Sequence, residues 1–421
     1  MTIIVSIVVF LILILLFVSI LLFAKSKLTP EGNVKILINE GAELETPRSG
    51  NVLNALQSKG IFLSSACGGG GTCGQCRLQI FDGGGAILPT ETGFFTRNQI
   101  QDHWRLGCQT KVKHDLEIRI PEEIFGVKEW ECEVVSNYNI ASFIKELVVK
   151  LPAGEHLQFK PGSYIQIKTP AYKTPFSVFN IEARQEGGLD ADRFREEWDK
   201  YRMWDLVAEN EEETIRAYSM ANYPAEGDII MLNIRIATPP FDRATGNWKP
   251  GIPPGICSSY LFSLKPGNKI LVSGPFGDFH ILDTKNEMLY IGGGAGMAPL
   301  RSQLLHLFHT LKTTDRKISY WYGARSKNEL FYEEDFRRIE EEYPNFQFHV
   351  ALSEPLPEDN WKGYTGFIHQ VIFDNYLSGH DAPEDIEYYM CGPGPMANAV
   401  KIMLDDLGVP PEMLMFDDFG F

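Results

Sequence analysis

The chain has 421 residues, 44% hydrophobic and 22% charged, with a formal net charge of −16. That length accommodates about three domains of ~150 residues, and the acidic balance argues against nucleic acid as a partner, because phosphate backbones are bound by basic surfaces. Seven cysteines form an odd set. Four of them cluster by spacing, which points to metal ligation in a reducing compartment rather than a disulfide framework.

Residues Ile3–Phe23 are apolar apart from Ser6 and Ser19. A run of that length spans ~30 Å of hydrocarbon as a helix. No basic residue precedes it and no small-x-small cleavage pattern follows, so it reads as a retained anchor (residues 1–28) rather than a signal peptide. Lys25 and Lys27 flank its C-terminal end, which places everything beyond in the cytoplasm by the positive-inside rule.

Next, Val34–Asn39 alternates like a half-buried strand. Asn51–Lys59 reads as a short helix ended by Gly60. The loop Cys67–Cys76 is followed by strands at Leu78–Ile80 and Leu116–Ile120, and Cys108 lies between them. Residues 29–127 thus form a small α+β domain. Cys67-x5-Cys73-x2-Cys76 with a distant Cys108 supplies four thiolates. Structural zinc sites usually use two short cysteine pairs. Three ligands crowded on one loop with the fourth far off suit a [2Fe–2S] cluster instead, although the plant-type spacing is one residue shorter. The glycines of CGGGGTCGQC let the main chain bend around the cluster. Cys132 and Cys257 lack partners at such spacing and read as small buried hydrophobes.

From residue 128 to 282 short strands (Glu131–Val135, Leu147–Leu151, Tyr164–Ile167, Met231–Ile236) separated by Pro and Gly turns suggest an antiparallel β-barrel. An insertion at residues 181–214 interrupts it. Within the insertion Phe194, Trp198, Tyr201 and Trp204 recur at helical spacing, which predicts one amphipathic helix. The plainer reading is a stripe packed on the barrel; the alternative is a contact for a partner or quinone.

From 283 to 421 strands alternate with helices: Met288–Ile291, Ala298–Leu311, Lys317–Gly323, Asp335–Glu342, Phe346–Leu352 and Glu387–Cys391. This predicts an α/β doubly wound sheet. Gly292-Gly293-Gly294-Ala295-Gly296-Met297-Ala298-Pro299 sits between strand and helix. Such a loop presents backbone N–H groups and a helix N-terminus to a pyrophosphate.

Arg216-Ala217-Tyr218-Ser219 resembles the R-x-Y-S motif of the ferredoxin–NADP reductase superfamily. Pro254-Gly255-Ile256-Cys257-Ser258-Ser259 resembles its second phosphate loop, and Gly274-Pro275-Phe276-Gly277 falls where its barrel ends. The resemblance implies FAD, with Arg216 on the pyrophosphate, Tyr218 on the isoalloxazine and Ser219 near flavin N5; Gly255, Cys257 and Ser258 complete the FAD set. It also implies a dinucleotide site of Gly293, Gly294, Gly296 and Met297. Tyr322–Ser326, with Arg325, would meet the adenosine half, and Cys391 and Gly392, in Cys391–Met396, the nicotinamide. Phe419 would stack on the flavin and move for hydride transfer. Ser219, Cys391 and Phe419 are thereby the expected catalytic residues.

Anchor, four-cysteine domain, flavin barrel and nucleotide domain, together with the aromatic insertion, resemble the F-subunit family of sodium-translocating NADH:quinone oxidoreductases. The resemblance implies NADH as donor, FAD and a [2Fe–2S] cluster as carriers, partner membrane subunits, a quinone as final acceptor and sodium export by the complex at the bacterial inner membrane. Arg325 and Lys327 could suit a 2′-phosphate, so the preference for NADH comes from the family. Two other readings stay open: a reductase component of an oxygenase system, and a non-catalytic electron-carrier subunit.

Overall fold

The computed structural model describes residues 2–28, 32–184 and 190–417. Helix α1 (Thr2–Leu28) has 27 residues, ~40 Å at 1.5 Å per residue. Its side chains are described only at residues 6–7 and 9–20, all exposed. Among the described residues no helix is long and apolar enough to cross a membrane.

The rest divides into two compact units: Met1–Leu63 with Gly69–Gly126, and Ser64–Gly68 with Val127–Phe421. In the first, β1 (Asn33–Ile38) buries Val34, Ile36 and Ile38 on one face, the period-2 pattern of a strand. It pairs antiparallel with β2 (Ala42–Pro47). Helix α2 (Val52–Gln57) starts where the Asn51 side chain accepts the Asn54 N–H at 2.8 Å, a side-chain N-cap. Then come β3 (Arg77–Asp82), α3 (Arg97–Gln101), β4 (Trp104–Leu106) and β5 (Leu116–Arg119). The sheet order is β2-β1-β5-β3-β4, with β1 and β5 parallel. Val52, Leu53 and Leu56 of α2 join its core, as expected of the α+β domain.

The second unit carries two large sheets. Strands β6 (Lys128–Ala141), β7 (Ile144–Lys150) and β8 (Tyr164–Thr169) lead into β9 (Tyr172–Pro175). After α4 (Arg195–Lys200), β10 (Val207–Asn210) pairs with β9. Next are β11 (Thr214–Ser219), β12 (Ile229–Arg235), a small hairpin of β13 (Phe241–Asp242) and β14 (Asn247–Trp248), α5 (Ile256–Ser263) and β15 (Lys269–Phe276). The antiparallel order is β11-β8-β15-β6-β7-β12. The expected barrel is therefore a curled six-stranded sheet rather than a closed ladder. Its edge strands meet through residues beyond the end of β11 at Ser219, not through a ladder: the Met220–Leu232 bridge, the Ala221 N–H to Met231 carbonyl bond of 2.7 Å, and the Asn222 side chain, which accepts the Met231 N–H at 2.9 Å and donates to the Ile229 carbonyl at 2.8 Å.

The insertion differs from its sequence reading in shape. Helical spacing predicts one helix carrying Phe194, Trp198, Tyr201 and Trp204. The helix stops at Lys200, and Arg202 takes a left-handed φ of 51° that no α-helix accommodates. Phe194 and Trp198 are buried. Trp198 packs on Phe176, Phe179 and Phe262 and donates to the Ser142 carbonyl at 2.7 Å. The stripe is core at these positions, not a docking face.

The last sheet follows from β16 (Met288–Gly293), α6 (Met297–Leu305), β17 (Ile318–Ala324), α7 (Glu333–Glu342), β18 (Phe346–Leu352), β19 (Tyr364–Thr365), α8 (Ile368–Asn375), β20 (Glu387–Cys391), α9 (Gly394–Asp406) and β21 (Leu414–Asp417). All pairings are parallel, in the order β19-β18-β17-β16-β20-β21. Both faces are apolar: Tyr290 and Tyr320 enter one core, Leu289, Ile291 and Trp321 the other, as a sheet covered on two sides requires.

Candidate active site

Three sets of expected residues can be located. In the first unit Cys76 and Cys108 are buried, and the Cys108 N–H donates to Cys76 Sγ at 3.4 Å. The Cys108 hydrogen bond, burial and the nearby Cys73 push the Cys76 thiol far up, so these three cysteines share one neighbourhood. Cys67 lies in Ser64–Gly68, grouped with the other unit. Among the described residues no group of three or more His, Cys, Asp or Glu side chains is placed so that it could hold a metal ion. No disulfide joins any of the seven cysteines. The loop itself fits a cluster. Gly71 and Gly74 have φ of +77° and +67°, and a Cβ on Gly74 would lie 2.4 Å from Phe94. Only glycine can run this loop. The N–H aimed at sulfur is the kind of donor that stabilises a thiolate.

In the second unit, β11 carries Arg216, Tyr218 and Ser219. Burial raises the Tyr218 hydroxyl well above its ordinary pKa, Cys257 adds to this and Arg216 opposes it, so Tyr218, Cys257 and Arg216 are neighbours. Arg216 Nη1 donates to the Ile215 carbonyl at 2.7 Å. Cys257 accepts from Thr169 Oγ1 at 3.0 Å and is an inert, buried thiol. Gly255 caps α5; a Cβ there would lie 2.6 Å from Ala237 Cβ, so the loop lies flush against β12's extension. The family motif would aim the Ser258 hydroxyl at a phosphate. It is engaged internally instead, accepting the Ala237 N–H at 3.1 Å and donating to the Gly255 carbonyl at 3.3 Å. The backbone N–H groups opening α5 remain as anion donors.

Ser219 Oγ is hydrogen-bonded to Asp417 Oδ2 at 2.5 Å. Asp417 is the last residue of β21. Sequence alone gives it no role, because its meaning comes from a contact 198 positions away. Phe419, the candidate in the Asp-Asp-Phe-Gly ending, lies outside the described residues.

The glycine loop lies at the carboxyl ends of the central strands. Gly292 is in register with Cys391 of β20, and Gly293 with Gly323 of β17. Chain order reverses between β16 and β20, the switch point where open α/β sheets bind ligands. A Cβ on Gly296 would sit 2.1 Å from the Cys391 carbonyl oxygen, so close packing of loop on strand dictates glycine. Gly294 has φ +56°. Met297 opens α6, whose nine residues are all buried. Gly392 follows Cys391 directly, and Cys391 is buried. Tyr322 donates to the Gly294 carbonyl at 3.4 Å. Arg325 is ion-paired to Glu329 at 2.7 Å, a partner that the motif itself does not disclose.

The family described as "2Fe-2S iron-sulfur cluster binding domain" matches residues 36–113, "Oxidoreductase FAD-binding domain" residues 200–281, and "Oxidoreductase NAD-binding domain" residues 290–401. The F subunit of the Na(+)-translocating NADH-quinone reductase of Neisseria meningitidis serogroup C is 52% identical over 422 aligned positions, covering 100% of both chains. The chain belongs to this F-subunit family. The Neisseria gonorrhoeae member is 53% identical at the same coverage, and that of Actinobacillus succinogenes 52% identical over 97% of this chain and 96% of its own. In structure the chain is similar to the Amycolatopsis cytochrome P450 reductase GcoB, with TM-score 0.60 and 22% identity over 92% of this chain and 98% of that one. A ferredoxin reductase in carbazole 1,9a-dioxygenase follows, with TM-score 0.57 and 22% identity over 93% and 99%. At that identity the likeness concerns the fold alone.

Proposed function

We propose that this chain oxidises NADH and passes its electrons, through FAD and a [2Fe–2S] cluster, to partner subunits of a membrane complex that reduces quinone and exports sodium. The observation that carries this reading is the 52% identity across the whole of the relatives' length, which includes the N-terminal helix and the insertion as well as the three matched domains.

When bound, FAD takes an electron pair as hydride and the cluster takes electrons singly, which is the reason to join them. The chain's own residues position these groups. The loop Gly293–Gly296 and the start of α6 offer N–H donors to the NADH diphosphate. Gly392 would let the nicotinamide approach beside Cys391. Arg216 and the N-terminus of α5 would hold the FAD diphosphate, and Tyr218 would cover the ring. Ser219 would stand at the hydride-accepting edge. Asp417 accepts the Ser219 hydroxyl hydrogen bond and so fixes the orientation of that hydroxyl. Cys67, Cys73, Cys76 and Cys108 would ligate the cluster.

Helix α1 is the anchor, with Lys25 and Lys27 on the cytoplasmic side of the inner membrane. The domains are 29–127, 128–282 and 283–421. A reductase component of an oxygenase shares the last three parts, and the two structural neighbours named above support that fold. The anchor and the insertion favour the respiratory reading. Affinity purification of the tagged full chain from solubilised membranes tests it. Recovery of several hydrophobic subunits with NADH-dependent quinone reduction is expected. Recovery of the chain alone, with electrons passed only to a soluble hydroxylase, would overturn it.

A further inference from the structure

The insertion reaches the turn that follows β17. Arg193 Nη2 donates to Asn328 Oδ1 at 3.2 Å. Tyr201, at the end of α4, packs edge-on against Phe143 at 5.8 Å, and Phe143 in turn carries the Arg325 guanidinium at 5.7 Å. The far side of Arg325 is closed by Glu329, whose side chain is 13% exposed. Arg325 is thus held between an aromatic ring positioned by the insertion and a half-enclosed carboxylate.

A second acid meets the turn, and a backbone bond closes it. Asp359 accepts the Lys327 backbone N–H at 3.1 Å, and the Glu354 N–H bonds the Arg325 carbonyl at 2.8 Å. Burial lowers the Arg325 pKa, but Glu329, Tyr201 and the insertion's Glu197 outweigh it and leave it raised. Gly323 of this strand is in register with the glycine loop, so the turn lies on the adenosine side of the proposed dinucleotide. A guanidinium free at this place would bind a 2′-phosphate, whereas an acid favours a 2′-hydroxyl.

We infer that Arg193 and Tyr201 make the insertion the dinucleotide-selecting element: they fix the Arg325–Glu329 turn in its closed ion pair and thereby exclude a phosphate from the adenosine 2′ position. This rests on the NADH reading of the site. Lys327 is exposed and offers only a mobile point charge beside Asp359. The inference gives the insertion a task other than partner docking.

The test uses full-length holoprotein and compares kcat/KM for NADH and NADPH with ferricyanide as acceptor. Glu329→Gln releases Arg325 and should raise the NADPH-to-NADH ratio about tenfold, the scale of one charge-assisted hydrogen bond. Adding Arg325→Leu should abolish that gain. Arg193→Met, which cuts the insertion's tie, should raise the ratio in the same direction. A ratio within twofold of wild type in Glu329→Gln would overturn the closed-pair account, and an unchanged ratio in Arg193→Met the insertion's part in it. Titration with 2′,5′-ADP against ADP reads the same selectivity without turnover. A wild-type protein that oxidises neither nucleotide would sink the NADH reading, while the titration would still decide this one.

Discussion

Asp417 is an ordinary acid near the chain end until its contact with Ser219 is seen. A carboxylate there accepts the Ser219 hydroxyl in a charge-assisted bond, which an amide weakens. Asp417→Asn is therefore expected to slow NADH-dependent bleaching of the flavin about tenfold, the scale of one weakened charge-assisted bond that positions Ser219. FAD content and the [2Fe–2S] electron paramagnetic resonance signal should stay as in wild type; stopped-flow absorbance measures the bleaching, and a wild-type rate would remove Asp417 from the mechanism. Lys145 is a different case. It is buried, donates to the Asn137 and Asn180 carbonyls at 3.0 and 2.6 Å, and burial pulls its pKa down to about 7 against a weak opposing pull from Glu182. The unfolded chain holds this proton up to ~10.4. Between pH 7 and 10 the unfolded state thus binds more protons, and this group's contribution to stability rises with pH. Lys145→Met should flatten that rise between pH 7 and 9 in urea titrations followed by tryptophan fluorescence. It should also lower stability at pH 9 by about 1–3 kcal/mol per carbonyl left unpaired.

Among the elements, β4 shows how a short strand positions chemistry. It is three residues long and stands two positions before Cys108. Glu91 holds it, ion-paired to Arg105 at 2.8 Å and accepting the Leu106 and Leu88 N–H groups at 2.9 Å each. Burial raises the Glu91 pKa, but Arg105 and these N–H groups outweigh it, so the carboxyl is held below its usual range. Its stabilisation is complete above pH ~4.5 and is lost as pH falls through the lowered value. Glu91→Ala leaves a buried guanidinium unpaired, at a cost of about 3–5 kcal/mol. The expected result is purified protein with FAD retained and substoichiometric iron and sulfide; full cluster content would contradict this link. Such ties explain what was legible in sequence. The strands and helices of the nucleotide-binding part were readable because each is apolar on a regular period. The curled sheet's open edge and the insertion's break at Arg202 were not, since both depend on where a strand ends or a φ turns positive. The predicted helix Ala298–Leu311 is α6 continued as a π-helical turn over His306–Thr310, a change of hydrogen-bond register that leaves the apolar pattern almost untouched. The glycine, R-x-Y-S and cysteine motifs were legible as types. Their partners, Asp417 and Glu329, were not, because long-range pairing leaves no local mark.

At the scale of the whole molecule, the two compact units share one polypeptide with a 27-residue apolar N-terminal helix, and the question is what that helix contributes. In the sequence the apolar run Ile3–Phe23 has the length of a bilayer-spanning segment, and it contains no acid that could serve an ion path. Its proposed task is attachment, leaving sodium movement to partner subunits. Removing residues 1–28 should accordingly separate two activities. NADH-to-ferricyanide turnover, which needs only the nucleotide and flavin sites, should remain within a few-fold of the full chain. Binding to washed membranes and NADH-dependent quinone reduction in them should fall to background when the truncated chain replaces the full one. High-salt washing distinguishes insertion from surface attraction, because ionic contacts weaken with a Debye length that shrinks to ~3 Å at 1 M salt whereas hydrocarbon burial does not. Full-length protein that leaves the membrane in 1 M salt would show that α1 does not anchor it. Truncated protein that still supports quinone reduction would show that docking by the folded units suffices.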